Sequence, residues 1–196
     1  MKTIETERLR LIPWKEEYAQ SLYNYAKDPD VGPAAGWKPH EDEAESLDII
    51  RTLFLPNNVW AITEKTGGDI IGTVGLEPDK RRPLVNSKEI GYSMSKEYWG
   101  KGLMTEAVSA VIDFAFEVYE LDVLSACVWP SNEKSQKVVK KTGFTYEGTE
   151  RRSFKVYDGT VRDTKCYSIL REEWIQMKGE RNEQTGDHKT SAGADG

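Results

Sequence analysis

Apolar residues recur along the chain with two different periods, and these predict a mixture of strands and helices. Residues 8–12 (RLRLI) alternate polar and apolar side chains, as a half-buried strand does. Residues 15–26 and 43–55 instead repeat apolar residues every three or four positions, which is the period of an amphipathic helix. One strand and two helices are therefore expected before the sheet is completed.

The remaining segments continue this mixed order. The elements expected in turn are strands over residues 58–65, 69–77 and 88–95, a helix from residue 102, a strand over residues 121–129, a short helix ending at Gly143 and a hairpin over residues 144–170. This order is neither a regular alternation of strand and helix nor an all-strand array. It predicts an α/β fold of the mixed α+β kind.

Length and composition predict one domain. A chain of 196 residues fits a single core, and we expect the domain to occupy residues 1–177. From residue 178 onward the chain is polar and has no aromatic residue, so residues 178–196 are expected to form a disordered tail.

The charge and the rare residue types exclude several classes of protein. A net charge of −6 disfavours a nucleic-acid-binding surface, and no apolar run approaches the ~18 residues of a membrane span. Cys127 and Cys166 lack the spacing of a metal site or a disulfide framework, and His40 and His188 stand far apart. We therefore expect a reduced, cytoplasmic protein with no metal site, no membrane partner and no direct nucleic-acid partner.

Residues 89–108 (EIGYSMSKEYWGKGLMTEAV) carry the most informative pattern. They are predicted to form a strand, a glycine-containing turn and the start of a helix, where backbone N–H groups without partners favour an anion. Gly100 and Gly102 remove side chains that would hold a phosphate away, and Lys101 adds a positive charge. The spacing is not that of a Walker loop nor, with Thr105, that of a GxGxxG loop. The alternative interpretation is that the glycines only permit a tight turn.

Four separated segments resemble one family. The stretch GYSMSKEYWGKGLMTEA, the opening TERLRLIPW, and the later WPSNEKSQKVVKKTGF and YDGTVRDTKCYSIL resemble GNAT acetyltransferases, in particular the RimJ/RimL-like branch that acetylates the N-termini of ribosomal proteins. The resemblance implies the GNAT fold, with a mixed, splayed central sheet flanked by helices. It also implies acetyl-CoA as cosubstrate and an amine-bearing substrate.

The resemblance places the phosphate contacts on the main chain. The family pattern Q/R-x-x-G-x-G/A falls here on Trp99, Gly102 and Met104, of which only the glycine is kept. Because backbone donors survive side-chain substitution, the main-chain N–H groups of this turn remain the expected contacts. The residues expected to bind the cofactor here are Gly100, Lys101, Gly102, Leu103, Met104 and Thr105.

A gap in the sheet is a further implication of the resemblance. Residues 90–95 are expected to separate from residues 121–129, so that the pantetheine arm of the cofactor enters between them. Tyr92, Ser93 and Met94 would then pair through their backbone with the cofactor amides, as an added strand does. The alternative is a strand that is fully paired within an ordinary sheet.

Asn132 and Ser135 match the family's N-x-x-S arrangement at a helix start. By resemblance, Asn132 hydrogen-bonds pantetheine, and the Ser135 hydroxyl lies near the thioester sulfur, where it donates a proton or a hydrogen bond. The alternative is that Asn132 is only the helix N-cap and Ser135 a residue of the first turn.

Glu89 is the candidate base. By resemblance it occupies the position of the catalytic glutamate of several GNAT enzymes, where it would act directly or through a water on the incoming ammonium. Alternatively it is a strand-end carboxylate paired with a basic residue such as Arg8 or Arg10. Glu106 and Glu150 are weaker candidates.

The acceptor is the part of the reaction that the residue pattern defines least. At pH 7 an α-amine is about one-tenth neutral, whereas a lysine amine is neutral about once in 2,500, so a protein N-terminus demands less of a base. We expect direct transfer to such an amine, because neither cysteine has a histidine or similar base nearby in the pattern. Trp37 and Tyr157 are expected to shape the acceptor pocket, and Trp14 to lie in the core.

Two other functions compete with this hypothesis. One is an acetyltransferase for a small amine such as a polyamine, an amino sugar or an antibiotic. The other is a CoA-binding regulatory module without turnover, which the departures at Trp99 and Met104 would suit. The assembly is expected to be a monomer or a homodimer.

Overall fold

The computed structural model describes residues 1–190, with side chains for residues 1–181 and 183. Within this range a single mixed sheet of eight strands forms the centre of the molecule. The strands are β1 (Ile4–Glu5), β2 (Leu9–Pro13), β3 (Asn58–Glu64), β4 (Ile70–Pro78), β5 (Ser87–Met94), β6 (Val123–Val128), β7 (Thr145–Lys155) and β8 (Val161–Leu170).

Helices cover both faces of this sheet. They are α1 (Ala19–Ala26), α2 (Gly32–Ala35), α3 (Glu43–Ile49), α4 (Leu103–Val118), α5 (Glu133–Lys141) and α6 (Arg171–Thr190). The starts of α3 and α5 are each capped by a side chain, that of Asp42 and that of Asn132, which accepts a hydrogen bond from a first-turn N–H group. Gly143, at a φ of 90°, ends α5 as the sequence predicts.

The strand order places one parallel pair inside an otherwise antiparallel sheet. The order is β1-β2-β3-β4-β5-β6-β8-β7, and β5 and β6 are the parallel neighbours. α4 forms the crossover between these two strands, as a parallel connection requires. The mixed α/β fold that the sequence predicts is therefore confirmed.

The hydrophobic core has one part on each face of the sheet. On the first face, α4 buries an apolar side and contacts β1, β2 and β4. Its buried residues are Leu103, Met104, Ala107, Val108, Val111, Ile112, Ala115 and Phe116. On the second face, α1 and α3 cover β3 and β4, and Trp14 lies in this core with 3% of its surface exposed, as expected.

The C-terminal segment differs from the expectation of disorder. α6 continues through residues 178–190, and its early part is attached to α4 by ion pairs from Lys178 to Glu117 and from Arg181 to Asp113. These contacts join residues far apart in sequence, which composition does not reveal. Residues 191–196 lie outside the described range. No helix within residues 1–190 is both long enough and apolar enough to cross a membrane.

Candidate active site

The turn before α4 has a backbone that requires glycine at two positions. Gly100 and Gly102 lie at φ values of 78° and 79°, a region that other residues rarely adopt. A Cβ atom added to Gly100 would meet nothing within 4 Å, and one added to Gly102 would meet only the Arg8 Nη2 atom, at 3.6 Å. The space in front of this turn is therefore open, which fits an incoming phosphate.

The helix start presents N–H groups towards that space. The first hydrogen bond of α4 runs from the Glu106 N–H group to the Gly102 carbonyl, at 3.1 Å. The N–H groups of Leu103, Met104 and Thr105 therefore have no acceptor within the helix itself. Within the described residues no side chain caps this helix. The geometry is that of an anion site.

The two departures from the family pattern leave the turn intact. The Trp99 indole N–H group donates to the Met94 carbonyl at 2.7 Å, so this side chain holds the end of β5. Met104 is 8% exposed and packs into the core, away from the turn. The Lys134 ammonium lies 3.8 Å from the centre of the Trp99 ring and adds a second cation to Lys101 near the turn.

Glu106 has a structural environment. Its carboxylate accepts hydrogen bonds from the Thr6 hydroxyl at 2.6 Å, from the Arg8 N–H group at 2.8 Å and from Arg8 Nε at 2.6 Å. Burial alone would raise its pKa, but these hydrogen bonds outweigh burial and hold the pKa below its usual range. Glu106 is therefore a poor proton acceptor, and Arg8 pairs with it rather than with Glu89.

The sheet separates where the resemblance implies a gap. β5 and β6 pair only through Ser87–Val123, Lys88–Leu124 and Glu89–Ser125, although both strands continue beyond these pairs. Tyr92, Ser93 and Met94 lie in the part of β5 that pairs with β4 on one side and not with β6 on the other. Their backbone groups on the side of β6 are thus available to a ligand that enters the gap.

Ser135 lies across this gap from β5. The Tyr92 hydroxyl and Ser135 Oγ are 2.7 Å apart, and the Tyr92 hydroxyl also donates to the Ser135 carbonyl at 3.3 Å. Burial raises the pKa of Tyr92 to about 12, so the phenol stays protonated at neutral pH. The sequence predicts a backbone contact for Tyr92, and its side-chain contact with Ser135 is an additional finding.

Asn132 serves as the N-cap of α5. Its Oδ1 atom accepts from the Ser135 N–H group at 3.0 Å, and its Nδ2 atom donates to the Ala34 carbonyl at 3.0 Å. The second contact joins α5 to α2, on the segment between α1 and α3. The capping alternative is therefore present in the structure, and it fixes the first turn of α5 that carries Ser135.

Glu89 occupies the last paired position before the gap. Its side chain is 32% exposed, and its Oε2 atom lies 3.9 Å from Arg81 Nη2. Burial raises the pKa of Glu89 above its usual range, against the lowering effects of the Cys127 thiol and the Arg81 guanidinium. Arg10 pairs with Glu5 at 3.5 Å. The basic neighbour of Glu89 is thus Arg81, which the sequence pattern did not single out.

Of the other acceptor-side candidates, Trp37 follows α2, Glu150 lies on β7, and Tyr157 lies between β7 and β8. Glu150 lines an open pocket of about 330 Å³ that Arg81 also lines. Trp37 is half-buried beside His40, and Tyr157, near the hairpin turn, is 51% exposed. A Cβ atom on Gly36 would approach the Trp129 ring to 3.0 Å, so the segment after α2 packs against the residue that follows β6.

Neither cysteine has the character of a nucleophile. Cys127 and Cys166 lie directly opposite one another on β6 and β8, and both are free thiols. Burial raises the pKa of both thiols, and the Glu89 carboxylate adds to this at Cys127. A high thiol pKa leaves little thiolate at neutral pH.

Histidine also supplies no sign of a metal. His40 Nδ1 lies 2.8 Å from the Ser46 hydroxyl in a buried contact. Among the residues that the structure describes, no group of three or more His, Cys, Asp or Glu side chains could hold a metal ion. The side chain of His188 lies outside the described side chains.

Comparison with known proteins yields consistent matches. The model of the acetyltransferase (GNAT) domain matches residues 8–145. The uncharacterized N-acetyltransferase p20 of Bacillus licheniformis is 31% identical over 89% of this chain and 99% of its own length. A Bacillus subtilis (strain 168) protein, YdaF, that carries the name of a ribosomal N-acetyltransferase is 43% identical over 70% of this chain and 78% of its own length.

Solved structures share the same architecture. The crystal structure of a ribosomal-protein-S5-alanine acetyltransferase from Vibrio fischeri superposes with a TM-score of 0.70 at 25% identity. The superposition covers 89% of this chain and 99% of that protein. The fold as a whole therefore belongs to an architecture already seen in acetyltransferases.

Proposed function

Because the chain belongs to the GNAT family of acetyl-CoA-dependent N-acetyltransferases, we propose that it transfers acetyl directly to the α-amine of a protein or peptide N-terminus. The observation that carries this proposal is the opening of the sheet between β5 and β6 immediately beyond Glu89. The choice of a protein N-terminus is supported by the names of YdaF and of the Vibrio fischeri neighbour. It is also supported by the higher neutral fraction of an α-amine at pH 7.

Two features of this chain fit acetyl-CoA. The space in front of Gly100 and Gly102 is open beside the first N–H groups of α4, and the edge of β5 beyond Glu89 has no strand partner on the side of β6 within the described residues. The first feature suits a diphosphate and the second suits the amides of a pantetheine arm. When bound, acetyl-CoA supplies the acetyl group as a thioester, and transfer to the amine would release CoA as the thiol.

The residues of the turn and of β5 hold and orient the donor. The N–H groups of residues 100–105 bind the diphosphate, with Lys101 and Lys134 adding positive charge nearby. The backbone of Tyr92, Ser93 and Met94 directs the arm along the gap. Orientation of this kind contributes to rate because it replaces an encounter in solution by a fixed approach.

Glu89 and Ser135 handle the protons. Glu89 accepts a proton from the incoming ammonium, and its raised pKa makes it a better acceptor than an ordinary exposed carboxylate. Arg81 keeps the carboxylate ionised by its charge. The Ser135 hydroxyl, held by Tyr92, donates a hydrogen bond to the departing sulfur. The half-buried setting limits competing hydrolysis.

A mass-spectrometric assay tests the proposed acceptor. The protein is incubated with acetyl-CoA and one of three kinds of acceptor. The first is a peptide with a free N-terminus, and the second is the same peptide with a blocked N-terminus and an unmodified lysine side chain. The third is a panel of polyamines and amino sugars. Acetylation of the free N-terminus in preference to the others is expected. Acetylation of small amines alone would establish the small-molecule alternative. Binding of CoA without any acetylated product would establish a module without turnover.

A further inference from the structure

The segment between β4 and β5 is held in place by a buried carboxylate. The Asp79 side chain is fully buried and accepts hydrogen bonds from the Ser125 hydroxyl at 2.8 Å, the Arg81 N–H group at 2.9 Å and Arg82 Nη1 at 3.1 Å. Arg82 also pairs with Glu147 on β7. These contacts fix the path of the segment over β6 and β7, and with it the position of the Arg81 side chain.

Unlike Arg82, Arg81 has guanidinium nitrogens with no acceptor at hydrogen-bonding distance among the described residues. Its side chain is 21% exposed, and its buried Nε and Nη2 atoms have no hydrogen-bond partner among the described residues. The Asp79 Oδ1 and Glu89 Oε2 atoms lie 3.6 Å and 3.9 Å away, beyond hydrogen-bonding distance. A buried donor left unpaired costs about 1–3 kcal/mol. An oxygen supplied by a ligand would therefore bind favourably here.

The space beside Arg81 suits a neutral oxygen better than an anionic one. The open pocket of about 330 Å³ is lined by Arg81 and Arg82 and also by the carboxylates of Glu147 and Glu150. Asp79 and Glu89 also lie within 4 Å of Arg81, so four carboxylates outnumber the two guanidinium groups and an entering carboxylate would meet a net negative charge. A carbonyl oxygen would satisfy the Arg81 donors without that repulsion.

The distance between Arg81 and Glu89 matches one particular acceptor. In an α-amino acyl group, the amine nitrogen and the carbonyl oxygen are about 3 Å apart. The Glu89 Oε2 and Arg81 Nη2 atoms are 3.9 Å apart. An ammonium at Glu89 therefore places the adjacent carbonyl oxygen within reach of Arg81.

We propose that Arg81 forms an acceptor subsite that binds the carbonyl oxygen next to the reacting amine, so that the enzyme selects α-amino acyl acceptors with a neutral carbonyl. This inference rests on the proposed function and adds a residue that determines specificity. A polyamine offers Arg81 no acceptor and brings a second cation towards it. A free amino acid offers a carboxylate, which Glu147 and Glu150 disfavour.

The test compares three acceptors that each carry a primary amine on a methyl-bearing carbon, namely alanyl-alaninamide, free alanine and sec-butylamine, which has no carbonyl. Arg81→Met removes the donors while keeping the length of the side chain, and Lys80→Met removes an exposed positive charge from the adjacent residue as a control. We expect Arg81→Met to lower kcat/KM for the dipeptide amide by about 10- to 100-fold. The same variant should lower kcat/KM for sec-butylamine at least about fivefold less than for the dipeptide amide, and Lys80→Met should change neither value.

Comparing the dipeptide amide and sec-butylamine in the same Arg81→Met variant separates the proposed contact from any effect on Glu89. An effect on Glu89 would lower kcat/KM for both amines equally. Equal losses with both acceptors would overturn the proposal, as would free alanine acetylated as efficiently as the dipeptide amide. Binding of the dipeptide amide in the presence of CoA, measured by calorimetry, gives a second readout that does not need turnover. Arg81→Met should weaken that binding, and unchanged binding would also overturn the proposal. Absence of any acetylated amine, with selective binding retained, would count against the proposed function alone.

Discussion

Gly100 and Gly102 both have positive φ values, and the space before them is open. The residue type at these positions is therefore set by the backbone, and the resulting N–H groups are the proposed phosphate contacts. The groups proposed to handle protons, Glu89 and Ser135 together with Tyr92, lie along β5 where the sheet begins to open. At the scale of single residues, the account thus separates cofactor binding from proton transfer, and the two can be tested separately.

Gly102→Asp should weaken CoA binding, because it places a carboxylate against the diphosphate. Gly102→Asn is the matched control, since asparagine has nearly the same size, is neutral and tolerates positive φ. Isothermal calorimetry is expected to give an affinity about 10- to 100-fold lower for the aspartate variant than for the asparagine variant. Similar affinities for the two variants would show that the diphosphate does not lie at this turn.

Ser135→Ala should lower kcat about 10- to 100-fold with little change in the KM for acetyl-CoA. Tyr92→Phe should lower kcat as well, because the 2.7 Å contact to Ser135 Oγ is lost. If Tyr92 acts by orienting Ser135, the double variant should be no slower than Ser135→Ala alone. Effects that multiply in the double variant would contradict this assignment.

The pH dependence of kcat/KM should identify Glu89 as the base. The groups around its carboxyl are Glu77 from the end of β4, Asp79 and Arg81 from the segment after β4, and Cys127 from β6, and burial raises the pKa above the usual range. Because a protonated carboxyl cannot accept a proton, kcat/KM should fall as the pH drops through this raised pKa. Glu89→Gln should lower the rate and remove this part of the profile.

Glu77→Gln is the control for that profile, since Glu77 is exposed and pairs directly with Glu89 across β4 and β5. Its pH profile should keep the acidic limb. A Glu89→Gln variant with the wild-type rate and the wild-type acidic limb would exclude Glu89 from the mechanism.

At the scale of secondary-structure elements, the start of α4 depends on its attachment to the turn between β1 and β2. Three hydrogen bonds from Thr6 and Arg8 converge on Glu106 in the first turn of the helix. The Arg8 Nη1 atom also donates to the Lys101 carbonyl at 3.2 Å. The N-terminal strands therefore hold the proposed phosphate turn in position.

Glu106→Ala should destabilise the fold by about 1–3 kcal/mol, because the partly buried Thr6 hydroxyl and two exposed Arg8 donors lose their common acceptor. Glu117→Ala, on the same helix, removes only an exposed ion pair to Lys178 and should cost no more than about 1 kcal/mol. Urea unfolding followed by circular dichroism measures both. Equal losses in the two variants would show that the Glu106 contacts do not stabilise the helix start.

At the scale of the whole molecule, local patterns predict the sheet and its helices well, because each strand and helix buries an apolar side with its own period. The pattern over residues 88–95 and 102–119, for example, corresponds closely to β5 and α4. The opening between β5 and β6 came from family resemblance, since no period in either strand encodes where pairing stops.

The features that escaped prediction join residues far apart in sequence. Arg81 reaches Glu89 only after the segment following β4 folds over β6, and the Tyr92 hydroxyl meets Ser135 only once α5 has packed. The continuation of α6 past residue 177 likewise depends on ion pairs with α4. Side-chain contacts of this kind become visible only in three dimensions.

The most direct test of the account is a crystal structure of the protein with bound CoA. The account predicts a diphosphate within hydrogen-bonding distance of the N–H groups of residues 100–105, a pantetheine arm between β5 and β6, and a sulfur atom near Ser135. A diphosphate bound elsewhere on the molecule, or an arm that does not enter the gap beyond Glu89, would contradict it.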